Sequence, residues 1–308
     1  MTITRQPPSD APGAALTARA TLDKATEENF PVAPFFLPRA WRDDLMAVYG
    51  FARLVDDIGD GDLAPGGADA RYLGVTPEDA DDRLALLDAF EADLRRVFDS
   101  TPAHPLLRAL APTVRRRALD PEPFLGLIRA NRQDQRVRRY ETYEELLGYC
   151  RLSADPVGRL VLAVTGTSTP ERVRRSDAVC TALQIVEHLQ DVAEDLARDR
   201  IYLPAEDLRR FRVTEDDLAR PSAGASVRAL VAFEAERARE LLADGVPLVA
   251  SVPGRLRLLL AGFVAGGLAA LDAIRDAHYD VLPGPPRATG TNLARRAAGV
   301  LRRARGEG

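Results

Sequence analysis

Residues 184–204, QIVEHLQDVAEDLARDRIYLP, decide how the chain is to be read. Ile185, Val186 and Leu189 recur at the spacing of a helix with a buried face. Glu187, Asp191 and Asp195 stand four apart, so on one continuous helix three carboxylates share a stripe. Like charges at that spacing destabilise an isolated helix by a few tenths of a kcal/mol, roughly 0.2–0.5. Such a stripe, set among apolar residues, calls for a positive partner.

Working outward from this stretch, helical periodicity recurs almost throughout and alternating strand patterns are nearly absent, which predicts an all-α fold. The spacing predicts helices over 42–58, 84–98, 105–119, 123–131, 143–166, 171–199, 226–243 and 255–277. Residues 59–83, rich in Gly, Pro, Ala and Asp, read as a loop placed where a lid would sit. Residues 1–25 read as a flexible polar lead, 26–285 as a single helical domain, and the basic stretch 286–308 as a solvated, fraying tail. Basic tails of this kind also hold to anionic lipid headgroups.

Composition narrows the function. The chain has 308 residues, enough for one large domain with a sizeable core. Its net charge of -4 argues against a nucleic-acid binder that relies on a global positive field. Two cysteines, Cys150 and Cys180, are too few for a disulfide framework or a thiolate zinc site and suit a reducing cytosol. The first twenty residues lack the apolar run of a secretory leader, and the longest uncharged run, 258–271, is 14 residues. A membrane-spanning helix needs about 18 or more. The expectation is a soluble, cytoplasmic protein.

A second acidic helix matches the first. Tyr49, Arg53, Asp56 and Asp60 fall at offsets 0, 4, 7 and 11, and Gln184, His188, Asp191 and Asp195 repeat those offsets. Each set therefore lies on one helix face. Carboxylates on helices of a bundle serve either a hard divalent cation or a di-iron centre. The second use needs a Glu-x-x-His motif twice; the chain has three histidines and neither pair is followed by one at the required place. Magnesium fits, because it takes one or two carboxylates and completes its shell with water and phosphate oxygens. The implied substrate carries a diphosphate, with Arg53, Arg198 and Arg200 nearby in sequence to meet its charge. A lone DxxxD is usually a solvated surface face. Two at matched offsets, flanked by Arg, Gln and apolar residues, point to a site.

At this level of detail the chain resembles a family. YGFARLVDDIGD and QIVEHLQDVAEDLARDRIYLP look like the two aspartate-rich signatures of the squalene and phytoene synthases, enzymes of the all-α isoprenoid synthase fold. ENFPVAPFFLP resembles the N-terminal segment of the hydroxysqualene synthase branch, YETYEELLGYCRLSADPVGRLVL the family's middle signature, and IRDAHYDVL its last helix. The resemblance implies a single-domain helical bundle around a central cavity. It implies magnesium, with manganese as the alternative, at Asp56, Asp57, Asp60, Glu187, Asp191 and Asp195. Around the diphosphate it places Arg53, Arg200, Tyr49, Tyr202 and Gln184, with Phe30 near the substrate and Tyr149 set for proton or cation chemistry.

Glu187 and Gln190 stand where the family usually has Asn and Arg, and Ala154, Asp155 and Pro156 where VAG is common. These departures fit the hopanoid-pathway branch, whose implied reaction is ionisation of presqualene diphosphate and capture of the cation by water to give hydroxysqualene. The alternatives are head-to-head condensation to presqualene diphosphate, squalene or phytoene, and a non-catalytic isoprenoid-binding or assembly protein. No GxGxxG follows a strand, so NADPH is not expected. A prenyl diphosphate substrate, sister enzymes of the same pathway and peripheral contact with the inner face of a membrane are the expected partners; nucleic acid is not.

Overall fold

The structure, a computed structural model, describes residues 21–24, 33–64 and 67–306. The chain divides into two compact units: residues 1–33 with 39–121, and residues 34–38 with 122–308. Among the described residues there is no strand, only one isolated parallel bridge between Arg139 and Ile201.

The first unit is built on α1 (Arg39–Asp60), followed by α2 (Ala68–Leu73), α3 (Arg83–Asp99) and α4 (Pro105–Arg117). α1 packs on α3 and α4, and Phe51 of α1 stacks on Phe90 of α3 with ring centroids 5.4 Å apart. Caps define the ends. Asp82 accepts from the N–H groups of Leu84 and Ala85 at the start of α3, and His104 Nδ1 accepts from Leu106 N–H at the start of α4. The stretch expected to be loop contains α2, which is pinned rather than loose: buried Asp69 lies 3.0 Å from the buried His104 Nε2. Gly74 ends α2 in the left-handed conformation.

The second unit begins with α5 (Pro121–Asp134) and continues through α6 (Tyr143–Ser153), α7 (Asp155–Val164), α8 (Pro170–Gln190), α9 (Val192–Ala197), α10 (Ala205–Phe211) and α11 (Glu215–Leu218). It closes with α12 (Ala225–Gly245), α13 (Pro247–Ser251), α14 (Gly254–Asp276) and α15 (Gly290–Gly306). α8 is the axis, with α7, α12 and α14 packed around it. Small residues let them come close. A Cβ at Gly158 would lie 2.3 Å from Ser176 Oγ, one at Gly245 2.2 Å from Val179 Cγ2, and one at Gly267 2.8 Å from Leu183 Cδ2. α8 is thereby gripped from three sides, and it delivers the second acidic stretch at its C-terminal end.

Three expectations need correcting. The helix predicted over 143–166 breaks at Ala154, because Pro156 lacks the N–H that would bond the Leu152 carbonyl and starts a new helix at its second position instead. The helix predicted over 171–199 breaks at Asp191, whose φ of -104° and ψ of 15° leave the helical region. The basic C-terminal stretch is no fraying tail. Residues 290–306 form α15, which packs on α14 and α13, buries Val300 and Ala304, and is held by Arg296, whose guanidinium donates to both oxygens of buried Asp272 at 2.7 and 2.6 Å.

Among the described residues one helix, α14, is long and apolar enough to cross a membrane. It packs against α8, α12, α13 and α15, the position of a core helix.

Candidate active site

The two acidic stretches are built differently, one in each unit. In the first unit α1 runs unbroken through both aspartates of its motif and ends at Gly61, where φ is +77°. Asp56 is exposed, while Asp60, Tyr49 and Arg53 are half-buried. Asp57, one residue round the helix, is buried. Lys24 Nζ donates to both of its oxygens at 2.8 Å, and Arg53 Nε donates to Oδ1 at 2.9 Å. The resemblance implied a metal role for Asp57; in the structure its carboxylate holds two protein cations, and Lys24, which the sequence reading passed over, is one of them.

In the second unit the stripe survives the break. Asp191 N–H donates to the Glu187 carbonyl at 3.0 Å and Asp195 N–H to the Asp191 carbonyl at 2.8 Å, so the four-residue repeat carries across from α8 to α9. Glu187 is exposed, and Asp191 and Asp195 are half-buried. Burial, then the charges of Asp195 and Glu194, push the Asp191 carboxyl above its ordinary range. The nearby Arg198 pairs with Glu194 at 3.1 Å.

Beside this hinge stands a set of aromatic rings. The His188 and Tyr202 rings stack at 3.7 Å and 11°, and Tyr149 and Tyr140 lie 5.5 and 5.8 Å from Tyr202. Gln184 Nε2 is 3.2 Å from His188 Nε2; with the amide donating, the ring hydrogen sits on Nδ1, 3.8 Å from Asp195 Oδ2. A recess is lined by His188, Asp195, Arg200, Tyr202 and Leu218. What places Arg200 and Tyr202 there is backbone pairing: Ile201 N–H donates to the Arg138 carbonyl at 2.9 Å and Ala205 N–H to the Tyr140 carbonyl at 2.8 Å. Arg139 locks the segment by donating to the Asp199 carbonyl at 2.7 Å.

Asp134, at the end of α5, accepts from Tyr149 Oη at 2.8 Å and from Tyr202 Oη at 3.3 Å. Burial raises its carboxyl above the usual range. Burial likewise raises the Tyr149 and Tyr202 hydroxyls well above an ordinary phenol. Of the residues singled out from the sequence, the second unit thus brings together Gln184, Asp191, Asp195, Arg200, Tyr202 and Tyr149, with Glu187 on the same stripe. Tyr49, Arg53, Asp56, Asp57 and Asp60 share α1, and Phe30 lies outside the described residues. Sequence reasoning missed Asp134 and Tyr140, whose partners are far away in the chain and leave no local pattern. Gln190, which the resemblance set where an arginine is usual, donates to the Pro286 carbonyl at 2.6 Å.

Among the described residues no three His, Cys, Asp or Glu side chains converge into a ready cage, and the acidic hinge offers hard carboxylate oxygens whose mutual repulsion a cation would relieve. Magnesium suits a site that supplies only one or two carboxylates per ion.

Helical throughout its described residues apart from turns and loops, and alike in fold to solved synthases, the chain falls in the class of helical isoprenoid synthase folds. The comparison with protein families is specific: the squalene/phytoene synthase profile matches residues 23–296, and the chain belongs to that family. It is similar to hydroxysqualene synthase of Rhodopseudomonas palustris, 37% identical over 73% of this chain and 72% of the relative. It is also similar to 15-cis-phytoene synthase of Synechococcus elongatus, 32% identical over 72% of this chain and 75% of the relative. Among solved structures, squalene synthase HpnC from Alicyclobacillus acidocaldarius superposes with a TM-score of 0.75 at 44% identity, covering 87% of this chain and 95% of that one.

Proposed function

We propose that the protein ionises presqualene diphosphate and captures the resulting cation with water, releasing hydroxysqualene and diphosphate. The observation that carries this is the adjacency, within one unit, of the Asp191–Asp195 hinge and the His188, Tyr202 and Tyr149 rings. Leaving-group ionisation needs hard-cation ligands for the departing diphosphate, and the cation left behind needs aromatic faces. Similarity to hydroxysqualene synthases supports the choice of step.

Magnesium bound with the substrate would supply Lewis-acid neutralisation of the diphosphate charge. Asp191 and Asp195 would hold it in the second unit, with Asp56 and Asp60 doing so in the first; manganese would serve in its place. Arg200, at the recess beside Asp195, adds a fixed guanidinium for phosphate oxygens. The Tyr149, Tyr202 and Tyr140 rings present electron-rich faces to an allylic or cyclopropylcarbinyl cation. His188 holds Tyr202 by stacking and is itself held by Gln184. No nicotinamide is called for, because water capture needs no hydride.

The test is to incubate the purified protein with magnesium and presqualene diphosphate and to measure diphosphate release and hydroxysqualene. No diphosphate release would end this assignment. A second assignment rests on the similarity to phytoene synthases. Farnesyl and geranylgeranyl diphosphate offered separately would yield presqualene diphosphate or phytoene if the protein condenses two chains instead.

A further inference from the structure

Asp134 belongs to no motif, yet it ties the aromatic cluster together. Its Oδ2 takes the hydroxyl hydrogen of Tyr149 at 2.8 Å and its Oδ1 that of Tyr202 at 3.3 Å. These partners come from α6 and from the segment before α10, 15 and 68 residues along the chain. Tyr149 is only 5% exposed, so solvent does not compete for that hydrogen. Among the described residues no Lys or Arg side chain is hydrogen-bonded to Asp134; Arg200 and His188 act on it from further away, and Tyr140 lies in the same cluster.

A phenol has one hydrogen and otherwise only lone pairs. With its hydrogen committed to Asp134, Tyr149 offers the site an acceptor and cannot donate to a ligand. Its remaining lone pairs are what a cation or a water molecule would meet, and the proton acceptor lies one hydrogen bond behind the phenol oxygen.

We propose that Asp134 is the positioning residue of the water-capture step: it fixes Tyr149 as an acceptor and receives, through Tyr149, the proton that the capturing water loses. This rests on the function proposed above. A lone pair of the water oxygen forms the C–O bond to the cationic carbon, and one O–H bond of that water breaks. Its proton goes to Tyr149 Oη while the phenol's own hydrogen passes to Asp134 Oδ2. The charges of carbocation and carboxylate cancel, leaving the neutral alcohol and a neutral Asp134, which returns its proton to solvent before the next turnover.

Ionisation precedes this proton transfer, so the two separate in a product assay. With magnesium and presqualene diphosphate, D134N should keep its KM and release diphosphate within about threefold of the parent protein. Its hydroxysqualene yield should fall by about 100-fold, the ordinary worth of positioned acid–base catalysis, with the balance appearing as elimination or rearranged hydrocarbons. D134E, which restores a carboxylate, should recover most of the alcohol. Y149F removes a single hydroxyl and should give the same split, so a D134N protein that failed to fold would not end the test. Alcohol yields unchanged in both variants would overturn the proposal, and so would equal losses of alcohol and diphosphate release, the mark of a merely structural residue. A parent protein that releases no diphosphate would instead sink the proposed function itself.

Discussion

Asp57 and Asp191 sit in motifs that look alike, and the fold treats them in opposite ways. Asp57 lies inside an unbroken helix with its carboxylate gripped by Lys24 and Arg53. Asp191 lies at a helix break, its carboxyl raised by burial and by the charges of Asp195 and Glu194, while the nearest arginine in sequence, Arg198, is taken by Glu194. The first is a finished ion-pair cluster; the second keeps the mutual repulsion of its carboxylates. Both treatments recur beyond the motifs. In the first unit burial penalises the charge of Asp44, but donors from Arg117, Thr113 and Arg116 outweigh it and hold the carboxyl low. In the second unit burial raises Asp155 to about 7, the Asp177 charge adding to it, and raises Glu234 to about 8.

The largest effect expected from this contrast is on turnover. D191N should lower diphosphate release by about 1000-fold or more, since metal-held charge stabilisation is worth several kcal/mol. The same change should leave the metal-free melting temperature unchanged or raised, because it removes a repelling charge. A loss under about tenfold would place the metal elsewhere. D57N should act through stability instead. It leaves Lys24 and Arg53 facing a neutral amide and should cost about 1–3 kcal/mol in denaturant unfolding. If D57N kept its stability but lost its response to magnesium, Asp57 would be a ligand after all and the asymmetry would be wrong.

Most of the architecture was legible because helix period and apolar spacing are local properties. α1, α3, α12 and α14 start and end within three residues of the expected positions. The breaks at Ala154 and Asp191 were harder to see, since periodicity continues through both. At Asp191 the residue's own N–H and carbonyl keep their partners four residues away, Glu187 and Asp195, while its backbone angles leave the helix. α15 was misread from its charge: five arginines suggest solvation, but Arg296 is drawn onto Asp272, a buried carboxylate 24 residues away. The acidic stripes showed at matched offsets, while Asp134, Tyr140 and Lys24 left no trace because each works through a residue distant in sequence, Tyr202 for the first two and Asp57 for the third.

The under-compensated carboxylates of the second unit also predict a pH response. Asp155 and Glu234 titrate higher in the folded protein than in the unfolded chain. Both therefore contribute stability that is fully present below the unfolded carboxylate range and is lost as pH rises through about 7 and about 8. Chemical denaturation of metal-free protein should show stability falling between about pH 5 and pH 8, at up to about 1.4 kcal/mol per pH unit for each group. Glu234 is buried, and its Oε2 has no hydrogen-bond partner among the described residues, so E234Q should flatten the upper part of that slope. An unaltered slope in E234Q would remove Glu234 from the contrast.

The smallest effect concerns Gln190, right beside Asp191. An arginine there would place a cation next to the hinge, much as Arg53 stands near Asp57. Here the glutamine amide instead holds the Pro286 carbonyl at 2.6 Å, linking the end of α8 to the segment that leads into α15. Q190A should therefore cost about 1 kcal/mol, the net worth of one hydrogen bond, and leave diphosphate release and the magnesium-induced rise in melting temperature as they were. Q190R should shrink that magnesium-induced rise, since a resident cation would already relieve part of the repulsion that magnesium relieves. If Q190A cut turnover while its melting temperature held, Gln190 would belong to the chemistry, and the bare acidic hinge would have to be explained by something other than its missing cation.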